Sequence, residues 1–252
     1  MRVASLLSGI GGADLGWRLA GHRIVSQAES DPWRRAVLAA RFPEATQARS
    51  VCQWPLTGHL PPDLLYIDLP RPLPSPLWAE AAGAIGRACP PWVVVEHSVA
   101  HPFGPIVRDL VVAGYDIQVM TVFMKVQADG LPAEAYDVRK RAFVLAGATS
   151  ALGRLALKTA LADLVARVSL TVPLGTVGCE EQSRGFPAGW TCLCEPGASC
   201  LCDEAARRRA VREATSPLLT RWLADVFAGA WQAAEVVGAY RHEMERACAP
   251  LG

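Results

Sequence analysis

Hydrophobic and polar positions follow two alternating periods over residues 1–150. Short apolar runs bounded by turn residues predict strands at 3–7, 23–28, 63–68, 92–96, 115–124 and 142–146. Helical spacing fills the intervals at 13–20, 31–42, 76–88 and 105–113, with Gly21 closing the first helix and Asp31-Pro32 opening the second as N-cap and first residue. Strand and helix in regular alternation predict an α/β fold, a doubly wound and mainly parallel sheet with helices on both faces. Ligands of such folds bind beyond the carboxyl ends of the strands. Gly9, Glu29, Asp68 and Glu96 all stand at such ends, so one crevice is expected to hold them.

Beyond residue 147 the pattern changes. Residues 152–168 have helical spacing and little chemistry. Residues 179–203 are rich in glycine, proline and cysteine, and Ser216-Pro217 starts a helix expected to run to about residue 248. Its apolar stripe of Leu218, Leu219, Trp222, Leu223, Val226 and Phe227 either packs on the main domain or offers a partner interface. The expected division is a cofactor-binding domain over 1–150, a cysteine-rich lobe over 151–212 and a C-terminal helix over 213–252 that packs back on the first domain.

Composition narrows the class. Of 252 residues, 51% are hydrophobic, enough for a sizeable core. No apolar run is long enough to span a bilayer, and no cationic region precedes an apolar stretch at the start, so neither membrane nor signal peptide is expected. A net charge of +1 excludes a protein that coats nucleic acid by bulk charge, so any such contact needs a local patch. Eight cysteines in a long α/β chain, four of them in one tight cluster, fit a reduced, cytoplasmic setting better than a secreted disulfide scaffold.

The richest stretch is Leu7-Ser8-Gly9-Ile10-Gly11-Gly12, between the first strand and the first helix. Glycines there let backbone approach a ligand and aim free N–H groups at it from a helix N-terminus. Glu29-Ser30 at the end of the second strand supplies a carboxylate placed to accept hydrogen bonds from ribose hydroxyls.

The run LLSGIGGADLGWRLAGHRIVSQAESDPWRRAVLAARFPEA resembles the opening of the DNA cytosine-5 methyltransferases. The resemblance is dense over residues 3–44 and returns at 63–75, 92–98, 114–118, 137–146 and 184–191. It implies that the loop and Glu29 hold S-adenosyl-L-methionine or its product S-adenosylhomocysteine. Ser50 is the nearest match for an aspartate that the family keeps beside the cofactor adenine.

The catalytic elements of the family are altered here. Its nucleophile is a cysteine in a Pro-Pro-Cys turn; this chain reads Asp68-Leu69-Pro70-Arg71, and a guanidinium cannot attack a pyrimidine ring carbon. Its Glu-Asn-Val becomes Glu96-His97-Ser98. Its Gln-x-Arg-x-Arg becomes Asp137-Val138-Arg139-Lys140-Arg141, which keeps the two arginines that brace the loop and Glu96. Its Gly-Asn before the last helix is matched to Arg212-Glu213. Asp68-Leu69-Pro70 also resembles the Asp-Pro-Pro turn of amino-methyltransferases, in which the carboxylate accepts a hydrogen bond from an exocyclic amine; Arg71 suits a phosphate or a base edge. His97 has two readings, a packed histidine or an acid–base group beside the target ring, and His101 shares them.

Cys192, Cys194, Cys200 and Cys202 form a Cys-x-Cys, five-residue, Cys-x-Cys pattern around Pro196-Gly197. Four thiolates suit a closed structural zinc site, although knuckles usually have Cys-x-x-Cys; free thiols or a disulfide are the other readings. The preceding 184–191 resembles the Gly-Phe-Pro element after the family's target-recognition region, which is here much reduced. Arg207, Arg208, Arg209 and Arg212 make either a local phosphate-binding patch for DNA or a solvated helix face.

Taken together, these features lead us to expect a divergent DNA cytosine-5 methyltransferase homologue that binds S-adenosylmethionine and DNA without cysteine-dependent methylation. Two alternatives stay open: a non-catalytic subunit of an active methyltransferase, with a homo-oligomer as the other possible assembly, or a base-modifying transferase that uses Asp68.

Overall fold

A computed structural model describes residues 1–54, 61–70, 75–97, 103–128, 136–148, 168–172, 181, 184, 186–194, 202–221 and 223–225, with backbone alone at 75, 120–128, 136–140, 148 and 168–172. The strands are β1 (Arg2–Leu6), β2 (Arg23–Ala28), β3 (Thr46–Ala48), β4 (Leu64–Asp68), β5 (Trp92–His97), β6 (Tyr115–Ala128), β7 (Tyr136–Ala148) and β8 (Val168–Val172). The helices are α1 (Gly12–Leu19), α2 (Pro32–Arg41), α3 (Ser75–Ala88), α4 (Gly104–Val112) and α5 (Glu204–Glu213).

One eight-stranded sheet runs in the order β3-β2-β1-β4-β5-β7-β6-β8. The β1–β2, β1–β4, β2–β3, β4–β5 and β6–β8 pairs are parallel, and β7 runs against both of its neighbours. The chain winds outward from β1 to β3, then returns to place β4 on the other side of β1. That reversal is a topological switch point, where the loops after β1 and β4 diverge and open a crevice.

The central strands β1, β4 and β5 and residues 142–146 of β7 are buried on both faces, which explains their nearly continuous apolar runs. Leu64, Tyr66, Trp92, Val94, Phe143 and Leu145 enter one core with Ala13, Leu15 and Trp17 of α1 and Val37 and Leu38 of α2. The alternate residues Leu65, Ile67, Val93, Val95, Val144 and Ala146 enter the other, under Trp78, Ala81, Ala84 and Ile85 of α3 and Ile106 and Leu110 of α4. The period of two along each strand therefore divides the core into two layers.

Boundaries predicted from pattern agree closely for β1, β2, β4, β5 and α1 to α4. The Asp31 carboxylate accepts from Arg34 N at 2.9 Å, as an N-cap should. The edge strand β3, three residues without an apolar run, was not expected. Three further differences appear. The strand pair β6–β7 extends well past its apolar centre, so the Asp137-to-Arg141 element is part of a strand. Val168, expected at a helix end, opens β8; residues 151–167 lie outside the described residues. Leu218 is exposed and leaves the expected stripe, whereas Leu219 and Leu223 are buried with α1. Trp222, Val226, Phe227 and the rest of that helix lie outside the described residues.

Candidate active site

The loop after β1 is built from left-handed turns. Leu7, Gly9 and Gly11 have φ of 58°, 57° and 80°. A side chain at Leu7 in that conformation is uncommon and marks local strain. Ser8 closes the turn, with its N–H on Ala28 O at 3.1 Å and its hydroxyl 2.6 Å from the Ser5 hydroxyl. The glycines do different work. A Cβ at Gly9 would meet nothing within 4 Å, so the loop is open there to a ligand. A Cβ at Gly11 would lie 2.6 Å from the Phe42 ring, and one at Gly12 would lie 2.1 Å from the carbonyl oxygen of Thr215. Gly11 and Gly12 are thus close-packing positions, against α2 and the C-terminal segment. Ile10 points into the core, and its carbonyl accepts from Trp190 Nε1 at 2.8 Å.

Glu29, at the end of β2, is buried with both oxygens engaged. Oε2 accepts from Gly9 N at 2.8 Å and Oε1 from Asp31 N at 2.9 Å. Each oxygen keeps a second lone pair, so the carboxylate holds the loop in shape and still has capacity for hydroxyl donors. Ser30 is exposed and its carbonyl accepts from Arg35. Ser50 is half-buried just past β3, and its carbonyl accepts from Gln53 N at 3.2 Å.

Asp68 and Glu96 are register partners at the ends of β4 and β5. Glu96 is buried. Its Oε2 accepts from Tyr66 OH and from the Thr215 hydroxyl, the latter at 2.5 Å, and its Oε1 pairs with Arg141 Nε at 2.7 Å. The Thr215 hydroxyl also lies 3.2 Å from Asp68 Oδ2. A hydroxyl has one hydrogen, so it serves one carboxylate at a time, and Glu96 is the nearer acceptor. Burial, then the charge of Glu96, hold the Asp68 carboxyl well above its ordinary value, with Glu29 adding to the rise; the charge of Arg141 and the Thr215 hydrogen bond oppose it. Tyr66 is likewise held protonated, by burial and then by the charges of Glu96 and Asp68.

The expected residues therefore fall into three groups. The ends of β1, β2, β4 and β5 place the Leu7 to Gly12 loop, Glu29, Asp68 and Glu96 along one edge of the sheet, and Arg141 joins them through its ion pair with Glu96. Arg71, Ser98, His101 and Cys200 lie outside the described residues, and Arg139 is placed only as backbone in β7 opposite Met124. His97 is buried at the end of β5 with its ring edge-on to Phe103, the centroids 5.9 Å apart.

Two expectations are corrected. Arg207 does not belong to a surface patch. It points inward, donating to Thr191 Oγ1 at 2.8 Å and pairing with the buried Glu181 carboxylate at 3.4 Å. Glu181 also accepts from Gly189 N and Thr191 N, and a buried carboxylate without this cation would be costly. Arg208, Arg209 and Arg212 do lie toward solvent, with Arg208 paired to Glu204 one turn back at 2.6 Å. The second correction concerns Arg212-Glu213, which are exposed at the end of α5. Glu213 meets Arg34 at 2.5 Å; the residue that reaches the crevice is Thr215. Sequence reading missed Thr215 because a threonine after a helix carries no motif. The tight seat of its backbone on Gly12 is visible only in three dimensions.

The segment leading into the cysteines packs against the loop after β1, through Trp190 on the Ile10 carbonyl, and against α2. Arg41 donates to the carbonyls of Trp190, Gly189 and Cys192 at 2.8, 2.6 and 3.0 Å, and Phe186 and Trp190 share the α1 core. The Sγ atoms of Cys192, Cys194 and Cys202 lie within 4.8 Å of one another, those of Cys194 and Cys202 at 3.6 Å.

No established family profile matches the chain, and no curated protein sequence matches it. Solved structures do. A protein described as a DNA modification methyltransferase encoded within an E. coli prophage superposes with a TM-score of 0.66 at 11% identity, over 92% of this chain and 99% of that one. Dnmt2 methyltransferase of S. pombe gives 0.62 at 11% identity, over 88% and 96%. The Entamoeba histolytica methyltransferase EhMeth gives 0.61 at 12% identity, over 90% and 97%. At such identities the likeness is one of architecture: the chain has the Rossmann-like fold of S-adenosylmethionine-dependent methyltransferases, carried over nearly its whole length.

Proposed function

We propose that the chain is a divergent homologue of the DNA cytosine-5 methyltransferases that binds S-adenosylmethionine or S-adenosylhomocysteine and engages DNA, without methylating cytosine through a cysteine adduct. The observation that carries this reading is the arrangement at the β1/β4 switch point. The open Gly9 loop and the Glu29 carboxylate stand at the same edge of the sheet as Asp68 and Glu96 at the ends of β4 and β5, which supports one shared binding crevice. The loop N–H groups and Glu29 suit a nucleoside with free ribose hydroxyls and an anionic end, and Glu29 keeps lone pairs for those hydroxyls. Such a cofactor, when bound, supplies an activated methyl group on a sulfonium.

The base side of the crevice supports binding over ordinary chemistry. Glu96, braced by Arg141 and Tyr66, retains the carboxyl that would grip a pyrimidine edge. Arg71 stands in the sequence where the attacking thiol is required, and a permanent cation there is suited to a phosphate. Amine methylation asks for an ionised acceptor, and burial beside the charge of Glu96 opposes ionisation of Asp68, which ranks that alternative lower. The proposed organisation keeps the division at 1–150, 151–212 and 213–252, with Leu219 and Leu223 as the contacts that return the last segment to the first domain. Arg208, Arg209 and Arg212 are the proposed phosphate contacts, and zinc on the cysteine cluster is the proposed second bound group.

Mass spectrometry of nucleosides from DNA incubated with the protein and S-adenosylmethionine tests the reading. No 5-methylcytosine is expected, while S-adenosylhomocysteine and DNA both bind. Formation of 5-methylcytosine by the isolated chain would overturn it, and an N-methylated base would move the assignment to the Asp68 alternative.

A further inference from the structure

We infer that Cys192, Cys194 and Cys202 hold a zinc ion whose work is to fix the Trp190 segment against the loop after β1. The inference rests on the cofactor reading above only for the identity of the ligand that senses the change. Three thiols converge within 4.8 Å although they come from two stretches of chain on either side of Pro196-Gly197. Tetrahedral thiolates at about 2.3 Å from zinc stand about 3.8 Å apart, and the Cys194–Cys202 pair is 3.6 Å apart. A disulfide would require about 2.05 Å. Cys200, two residues before Cys202 in sequence, lies outside the described residues; the sequence offers its thiol to complete a set of four soft donors, the closed set of a structural site. Cys194 and Cys202 border an open cleft of 410 Å³ with Trp33, Leu193, Asp203 and Ala206, which supplies an entry path for the ion.

The position of the cluster gives it a purpose. On its N-terminal side, Cys192 follows at once on Trp190, whose indole N–H holds the Ile10 carbonyl of the cofactor loop, and on Thr191, which Glu181 and Arg207 secure. On its C-terminal side, Cys202 precedes Asp203, whose carboxylate accepts from Ala205 N at 2.9 Å and Ala206 N at 3.2 Å to cap α5. A metal joining Cys192 and Cys194 to Cys202 therefore ties the loop buttress to the start of α5, and α5 leads directly to Thr215 in the crevice. The short segment has too few apolar residues to hold that closure by packing, and metal ligation is a common substitute for a core at that size.

Elemental analysis of protein purified without added metal should give about one zinc per chain. Cobalt(II) added to the stripped protein should give the absorption of a tetrahedral thiolate complex, a readout that needs no variant to fold. Stripped protein, and Cys194→Ser, should bind S-adenosylhomocysteine about tenfold more weakly than the zinc form, with a Cys52→Ser control unchanged. Less than half an equivalent of zinc, a cobalt spectrum lacking thiolate bands, or two disulfides by mass would overturn the site. Zinc present but stripped protein binding the cofactor product with full affinity would overturn its role at the loop. If neither form binds the cofactor product, the cofactor reading fails, and the metal content and cobalt spectrum still decide the site.

Discussion

The Thr215 hydroxyl lies 2.5 Å from Glu96 Oε2 and 3.2 Å from Asp68 Oδ2, so one side chain from the C-terminal segment bridges the acidic ends of two neighbouring strands. Thr215→Val keeps the shape and removes the bridge. Glu96 then loses a hydrogen bond to a charged acceptor, and a stability loss of about 1–3 kcal/mol is expected. Thr215→Ser should recover most of it. Denaturant titrations of the three proteins check this; equal midpoints for Val and wild type would show the bridge to be idle.

Asp14 offers a test by pH. It sits in the first turn of α1, fully buried, and burial raises its carboxyl from 3.8 to about 6 against the smaller opposing effects of Ser5, Gln27 and Arg18. A raised folded value means that the native state binds the proton more tightly. The group's contribution is complete below about pH 4 and is lost as pH rises through 6, at most about 3 kcal/mol. Asp14→Asn should remove that slope and be the more stable protein at pH 7.5, though not at pH 4. Melting temperatures measured across this range should converge on the acid side.

The cofactor-loop glycines separate packing from binding. Gly12→Ala would drive a methyl into the Thr215 carbonyl, where only backbone movement gives relief, and a loss of about 1–3 kcal/mol or more is expected. Gly9→Ala meets open space and costs about 1–2 kcal/mol for its left-handed backbone. Its methyl occupies the face offered to the ligand, so cofactor affinity should fall while the fold persists. Thermal melts paired with binding titrations distinguish the two.

Glu29→Gln places an amide N–H₂ against one of two backbone donors, Gly9 N or Asp31 N, and removes the charge. Weakening of cofactor binding by about tenfold to a hundredfold is expected, in line with about 1.5–3 kcal/mol for a hydrogen bond to a charged group. Isothermal titration of the variant measures it. A variant that binds as well as wild type would show that Glu29 serves the loop alone.

The fold could be read from the chain because two periods and a few punctuating residues encode it. Gly21, Asp31-Pro32 and the apolar runs of β1, β2, β4 and β5 are local signals, consistent with the fold they specify; β3 has no such run and escaped. The shared sheet edge of Gly9, Glu29, Asp68 and Glu96 was legible because the ends of parallel strands in a doubly wound sheet fall on one side by topology. What escaped depends on contacts distant in sequence. Arg207 looks like its neighbours Arg208 and Arg209 until Glu181 is seen beneath it. Thr215 matters because Gly12 admits its backbone, and nothing near either residue announces the other. The far ends of β6 and β7 were missed because each strand is stabilised by the ladder it forms with the other, and not by an apolar run of its own.

The central claim is that a sulfonium-nucleoside pocket persists at the β1/β4 switch point. Calorimetric titration of the full chain with S-adenosylhomocysteine tests it most directly. One site per chain is predicted, weakened by Gly9→Ala and by Glu29→Gln. Absence of binding by both S-adenosylhomocysteine and S-adenosylmethionine to folded, metal-replete protein would contradict it and leave only a shared architecture.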